Sequence, residues 1–189
     1  MMQNIVIGQF RGRKLQIKYY LPLAIVAAYF MAIFAGSFLH PYSWALKFNT
    51  TPSVKRGLYL EFDRLSSTKT QLQRGQYVLF SIPDSFKTMV YSRHYMPEDA
   101  PLIKQVGAVP GDKFCVYDTY FTINDVKIGP VVDKDTIGRP LPKLRGCSIV
   151  DAGYFVPVGT NIPNSFDGRY MGQVPVSLID GKAKPLWTF

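Results

Sequence analysis

The stretch LIKQVGAVPGD, residues 102–112, sets the reading of the whole chain: an apolar, β-favouring run leads into a Pro-Gly-Asp turn, and Lys104 interrupts it. Such a run bounded by turn residues predicts a strand. Lys104 then has two readings. On a strand with one wet face it points to solvent. If its head enters the domain it must be paired or lose its proton, because burial can lower a lysine pKa by several units. Working outward, the segments 57–62 (GLYLEF), 76–82 (QYVLFSI), 113–117 (KFCVY), 120–123 (YFTI), 153–158 (GYFVPV) and 173–178 carry similar aromatic and β-branched runs between Gly, Pro, Asn and Asp. They predict further strands. Ile123-Asn124-Asp125-Val126 reads as a hairpin turn, residues 85–95 as the one helix of this region, and 129–146 as an irregular excursion rich in Pro, Gly and Lys. The expected fold class is mainly β, an antiparallel β domain over 41–189.

A chain of 189 residues suits one domain with an appendage. With 47% hydrophobic and 19% charged residues it can bury a packed core, which excludes wholesale disorder. The net charge of +9 is spread without a dense Lys/Arg run, so no nucleic-acid partner is expected.

The appendage lies at the N-terminus. Arg11, Arg13, Lys14 and Lys18 precede a stretch from Tyr19 to Leu46 that has no charged residue, and 21–39 is almost wholly apolar. As a helix those residues reach about 28 Å, against a hydrocarbon core of about 30 Å, with Pro22 expected in the first turn. The expected organisation is a cytoplasmic basic N-terminus over 1–18, a transmembrane helix over 19–40 and an extracytoplasmic domain over 41–189, oriented by the positive flank. A cleavable signal peptide ending near Ala35-Gly36-Ser37 is the alternative, although its apolar core would exceed the usual length of about 7–15 residues. Cys115 and Cys147 are the two cysteines, and in an exported domain such a pair predicts a disulfide. Two buried thiols are the other reading. His40 and His94 offer no ligand spacing near either cysteine, so no metal is expected.

Three short motifs carry candidate chemistry. In 50–59 (TTPSVKRGLY), Ser53 stands soon after the apolar segment, before the first predicted strand; by itself a serine beside proline is ordinary turn chemistry. Lys104 is the second. The third is 163–172 (PNSFDGRYMG), a polar turn where Asp167 and Arg169 can pair; exposed, such a pair contributes only about 0–1 kcal/mol.

In this order the motifs resemble the signal peptidase I superfamily of membrane-bound Ser/Lys endopeptidases. Thr51-x-Ser53-x-x-x-Gly57-Leu58-Tyr59 and Gly138-Arg139-Pro140-Leu141-Pro142 leading to Cys147 resemble its TraF-type, conjugative-transfer branch. The resemblance implies Ser53 as nucleophile, Lys104 as general base, Thr51 with the Ser53 backbone N–H as oxyanion hole, Ser165 as the hydroxyl orienting Lys104, and Asp167 with Arg169 as supports. The sequence departs from the pattern at Lys55, where many relatives have proline, at 75–78, which lacks their aspartate, and at Gly168, where a serine is frequent.

The resemblance implies a peptidase domain on the periplasmic side of a bacterial inner membrane. It would act on an exported precursor, a pilin of a conjugative transfer apparatus, by hydrolysis or cyclisation. The membrane lipid is the other expected partner, and no cofactor is expected. A housekeeping signal peptidase I and a catalytically silent, membrane-tethered scaffold are the alternative functions.

Overall fold

The computed structural model describes residues 17–39, 45–63, 71–98 and 100–189. The expected basic arm lies outside these residues up to position 16, as does the end of the expected span at residue 40. The chain divides into two units, Met1–Tyr42 and Ser43–Phe189.

Among the described residues the first unit holds one helix, α1 (Ile17–Leu39), 23 residues long. Its backbone runs for about 35 Å. It starts earlier than the sequence suggested, so Pro22 lies inside it and removes one backbone hydrogen bond rather than sitting in the first turn. Its described side chains, at 21–32 and 34, are exposed. Among the described residues no helix is long and apolar enough to cross a membrane.

The second unit is built from antiparallel strands. In chain order these are β1 (Ala45–Asn49), β2 (Gly57–Phe62), β3 (Tyr77–Phe80), β4 (Leu102–Ala108), β5 (Lys113–Val116), β6 (Tyr120–Ile123), β7 (Val126–Pro130), β8 (Gly146–Ile149), β9 (Tyr154–Val158), β10 (Val174–Pro175) and β11 (Ile179–Thr188). Two further helices, α2 (Asp84–Ser92) and α3 (Gly168–Met171), interrupt them. One sheet has the order β1-β2-β11-β3-β4-β9-β10, the other β7-β6-β5-β8. The last strand, β11, therefore lies between β2 and β3 and pairs with both.

Local chemistry explains most of these elements. Asn124 and Asp125 both take positive φ, 47° and 64°, which a two-residue turn of this hand requires and which these residue types tolerate, so β6 and β7 form the expected hairpin. Phe114, Val116, Phe121 and Ile123 from β5 and β6 pack with Val156 and Val158 of β9 in one core cluster. Val78, Phe80, Val106, Phe155 and Ile179 form a second cluster, on which Val90 of α2 sits. A third joins Val54, Tyr59, Leu79, Ile103 and Ala183. It seats the residue after Ser53 against the residue before Lys104.

The structure corrects several expectations. A strand, β1, precedes Ser53. The strand expected over 173–178 is a two-residue pairing, β10, followed by a 3-10 turn at Val176–Leu178. The excursion begins with the ordered β7 and ends in β8. Cys115 and Cys147 are bonded, directly opposite each other across β5 and β8 with Cα atoms 4.1 Å apart.

Candidate active site

Ser53 is carried by the loop of the β1–β2 hairpin, between the paired residues Asn49 and Gly57. The buried Asn49 side chain shapes that loop. Its Oδ1 accepts from the Thr51 N–H at 3.1 Å and from Thr51 Oγ1 at 2.7 Å, while its Nδ2 donates to the carbonyls of Thr51, Val54 and Lys55 at 2.9, 3.3 and 3.0 Å. Tyr59 Oη also donates to the Lys55 carbonyl, at 2.7 Å. Burial, with Tyr77 nearby, pushes the Tyr59 hydroxyl up to about 12, so it keeps its proton and its bond. The departure at Lys55 thus leaves in place the carbonyl that holds the turn. Asn49 had no signal in the sequence beyond its place ahead of a Thr-Pro-Ser turn, where an Asx side chain commonly bonds backbone.

Lys104 does not point to solvent. It is 3% exposed at the middle of β4, opposite Val78 of β3, and its Nζ donates to Ser165 Oγ at 2.9 Å. Burial pushes its pKa down from the ordinary 10.5 to about 8; Asp167 opposes the shift and Arg169 adds to it. Ser165 comes from the loop between β9 and α3. Two hydrogen bonds staple that loop to the serine turn: the Asn161 N–H donates to the Ser53 carbonyl at 3.1 Å and Asn161 Nδ2 to the Pro52 carbonyl at 3.0 Å. Gly159 lies beneath both serines. A Cβ there would stand 2.0 Å from Ser165 Oγ and 3.0 Å from the Ser53 carbonyl oxygen, so glycine is what lets them approach.

Asp167 and Arg169 do pair, but not as an exposed turn: they are 0% and 1% exposed. Asp167 Oδ1 accepts from the Arg169 N–H and Nε at 3.1 and 3.0 Å; its Oδ2 accepts from the Gly159 N–H at 2.7 Å and Arg169 Nη2 at 3.1 Å. Arg169 donates further to the carbonyls of Pro130, Pro163 and Gly159. Every guanidinium nitrogen is used, which is what makes burial of this charge tolerable. The knot joins the end of β7 to the loop that bears Ser165. At Gly168 a Cβ would stand 2.4 Å from Val156 Cγ1, so the missing side chain lets α3 lie against β9.

Thr51, Ser53, Lys104 and Ser165 all line one cleft of about 390 Å³. Its other lining is mostly apolar, including Ile82, Val90, Tyr95, Met96, Leu102 and Phe166. A hydroxyl and a desolvated amine on the wall of an apolar cleft, with a second hydroxyl fixing the amine, are the parts a Ser/Lys acyl-transfer site needs. Among the described residues no group of three or more His, Cys, Asp or Glu side chains could hold a metal ion.

Comparison with known proteins identifies the family. Residues 17–187 match the family described as signal peptidase, peptidase S26. The conjugal transfer protein TraF of Agrobacterium fabrum (strain C58) is 30% identical over 149 residues, covering 75% of this chain and 81% of that protein. A plasmid transfer protein TraF of Escherichia coli is 28% identical over 153 residues, covering 76% and 83%. Among solved structures, a signal peptidase I from Enterococcus faecalis V583 aligns with a TM-score of 0.36 and 19% identity, over 60% of this chain and 97% of that one. With the family matched over nearly all of its length, the chain belongs to the signal peptidase family, peptidase S26.

Proposed function

We propose that the chain is a membrane-anchored serine endopeptidase in which Ser53 and Lys104 act as a catalytic dyad on an exported precursor, a pilin of a conjugative transfer system. The observation that carries this reading is Lys104 itself: buried, lowered to about 8, and held by Ser165 Oγ in the cleft that Ser53 lines. A neutral amine there takes the Ser53 proton as Oγ attacks the scissile carbonyl, and returns it to the leaving amine as the tetrahedral intermediate collapses. The Ser53 backbone N–H and the Thr51 hydroxyl stabilise the oxyanion. Thr51 Oγ1 donates to Asn49 Oδ1 at 2.7 Å. Turning it to the oxyanion leaves Asn49 Oδ1 still satisfied by the Thr51 N–H. The acyl-enzyme is then released by water, giving a linear product, or by the amino terminus of the same precursor, giving a ring.

The transfer context rests on the relatives, named for conjugal and plasmid transfer. The anchor reading rests on the run from Tyr19 to Leu46, which has no Asp, Glu, Lys or Arg, and on the exposed, mostly apolar side chains of α1 at 21–32 and 34. In this reading residues 1–18 are cytoplasmic, 19–40 cross a bacterial inner membrane, and 41–189 are the periplasmic peptidase domain. The test mixes wild-type, Ser53→Ala and Lys104→Ala proteins in detergent with candidate pilin precursors and reads the products by mass spectrometry. Wild type alone should cut, and ring closure appears as the loss of one water relative to the linear product. Cleavage by Ser53→Ala rejects the assignment.

A further inference from the structure

The Gly138-Arg139-Pro140-Leu141-Pro142 stretch plays no part in the chemistry above, yet it packs against Tyr95, a residue of the cleft wall. Asp135, in the excursion between β7 and β8, accepts from Tyr95 Oη and from Arg139 Nε, each at 2.6 Å, through Oδ2. Its Oδ1 accepts from the N–H groups of Ile137 and Arg139 at 3.1 and 2.8 Å, which closes the excursion on itself. The Arg139 guanidinium lies over the Tyr95 ring, 5.2 Å from its centroid, and Nη2 donates to the Arg93 carbonyl at 3.4 Å. In return Arg93 Nη1 donates to the Pro140 carbonyl at 2.7 Å. Residues 93–95 and 135–140 are thus fastened together from both sides. Burial pushes the Asp135 carboxyl up, but the bonds from Tyr95 and Arg139 outweigh it and hold it below the usual carboxylate range.

Tyr95 follows α2 on an irregular segment, where an untethered ring would sample several rotamers. It is also a wall of the cleft. Its ring stands 6.1 Å from that of Phe166, which stacks on Tyr170 at 5.6 Å and directly follows Ser165. Tyr170 Oη in turn accepts from the Val132 N–H at 3.2 Å. An aromatic wall therefore runs from the excursion to the residue beside the one that holds Lys104. An ion pair with one partner nearly buried adds little net stability. What this cluster supplies is a fixed ring.

We propose that Asp135 and Arg139 are positioning residues that lock Tyr95, and that Tyr95 so locked determines which side chain of an extended peptide the cleft admits. This rests on reading the cleft as the peptide-binding site. The test uses the full chain in detergent on a Ser53→Ala background, which separates binding from cleavage. The probes are a fluorescein-labelled, alanine-rich octapeptide and the same peptide with leucine at its fifth position, and the readout is affinity by fluorescence anisotropy. Tyr95→Phe removes only the hydroxyl that Asp135 holds, and with Asp135→Asn and Arg139→Gln should change the ratio of the two affinities at least fivefold. A purely structural role would weaken both peptides alike and leave the ratio unmoved. An unmoved ratio in Tyr95→Phe, or no binding of either peptide to the parent protein, overturns the proposal. Cleavage by the protein with Ser53 intact is scored separately: a shifted ratio without cleavage removes the proposed chemistry but keeps the clasp, and cleavage with an unmoved ratio does the reverse.

Discussion

At the scale of single residues, the site depends on two side chains held in unusual states. In the proposed mechanism Lys104 acts as a neutral amine, so kcat/KM should rise with pH through about 8. Lys104→Arg, whose guanidinium stays charged, should be inactive throughout; a flat wild-type profile between pH 6 and 9 contradicts the assigned base. The same shift has a cost in stability. The folded pKa lies below the unfolded value, so between about pH 8 and 10.5 the unfolded chain binds the extra proton and stability climbs with pH. Lys104→Met should therefore have an unfolding free energy at pH 7 higher by up to about 3 kcal/mol, measured by denaturant titration, with the gap closing towards pH 10.5. Asn49 acts through the turn instead. Asn49→Ala removes the donor to the Thr51 and Val54 carbonyls, while Lys55 keeps Tyr59 Oη, and should cost about 1–3 kcal/mol of stability. Kinetically it should lower kcat more than it raises KM, and its effect should shrink when Thr51→Val is already present. Full additivity of the two would mean that Asn49 does not act through Thr51.

Among the secondary elements, the disulfide across β5 and β8 closes the excursion that carries Asp135 and Arg139. Replacing Cys115 and Cys147 by serine should lower the unfolding free energy by about 3–4 kcal/mol, measured by denaturant titration of the full chain. Strands with aromatic or β-branched runs, such as β2, β4 and β6, were legible because their composition is distinctive. So was the β6–β7 turn, because Asn-Asp tolerates positive φ. In contrast, β11 was hidden: Gly181, Pro185 and alternating lysines disguise a strand whose order comes from partners on both sides. The edge strand β8, exposed at all four positions, gave no hydrophobic signal either. Sequence order named Ser53, Lys104 and Ser165, but Asn49, Tyr95 and the burial of Arg169 depend on contacts between segments that no local pattern encodes.

For the molecule as a whole, the proposed anchor predicts that the full chain stays in the membrane pellet after alkaline carbonate extraction; quantitative release would refute a spanning helix. The sheet order carries a further consequence. Within the sheet, the hairpin bearing Ser53 connects to the strand bearing Lys104 through β11, in the order β2-β11-β3-β4, and the Phe189 N–H donates to the Arg56 carbonyl at 3.0 Å. Unpairing β11 would therefore loosen Ser53 relative to Lys104 without altering either residue, a route to an inactive protein that no change inside the cleft would reveal.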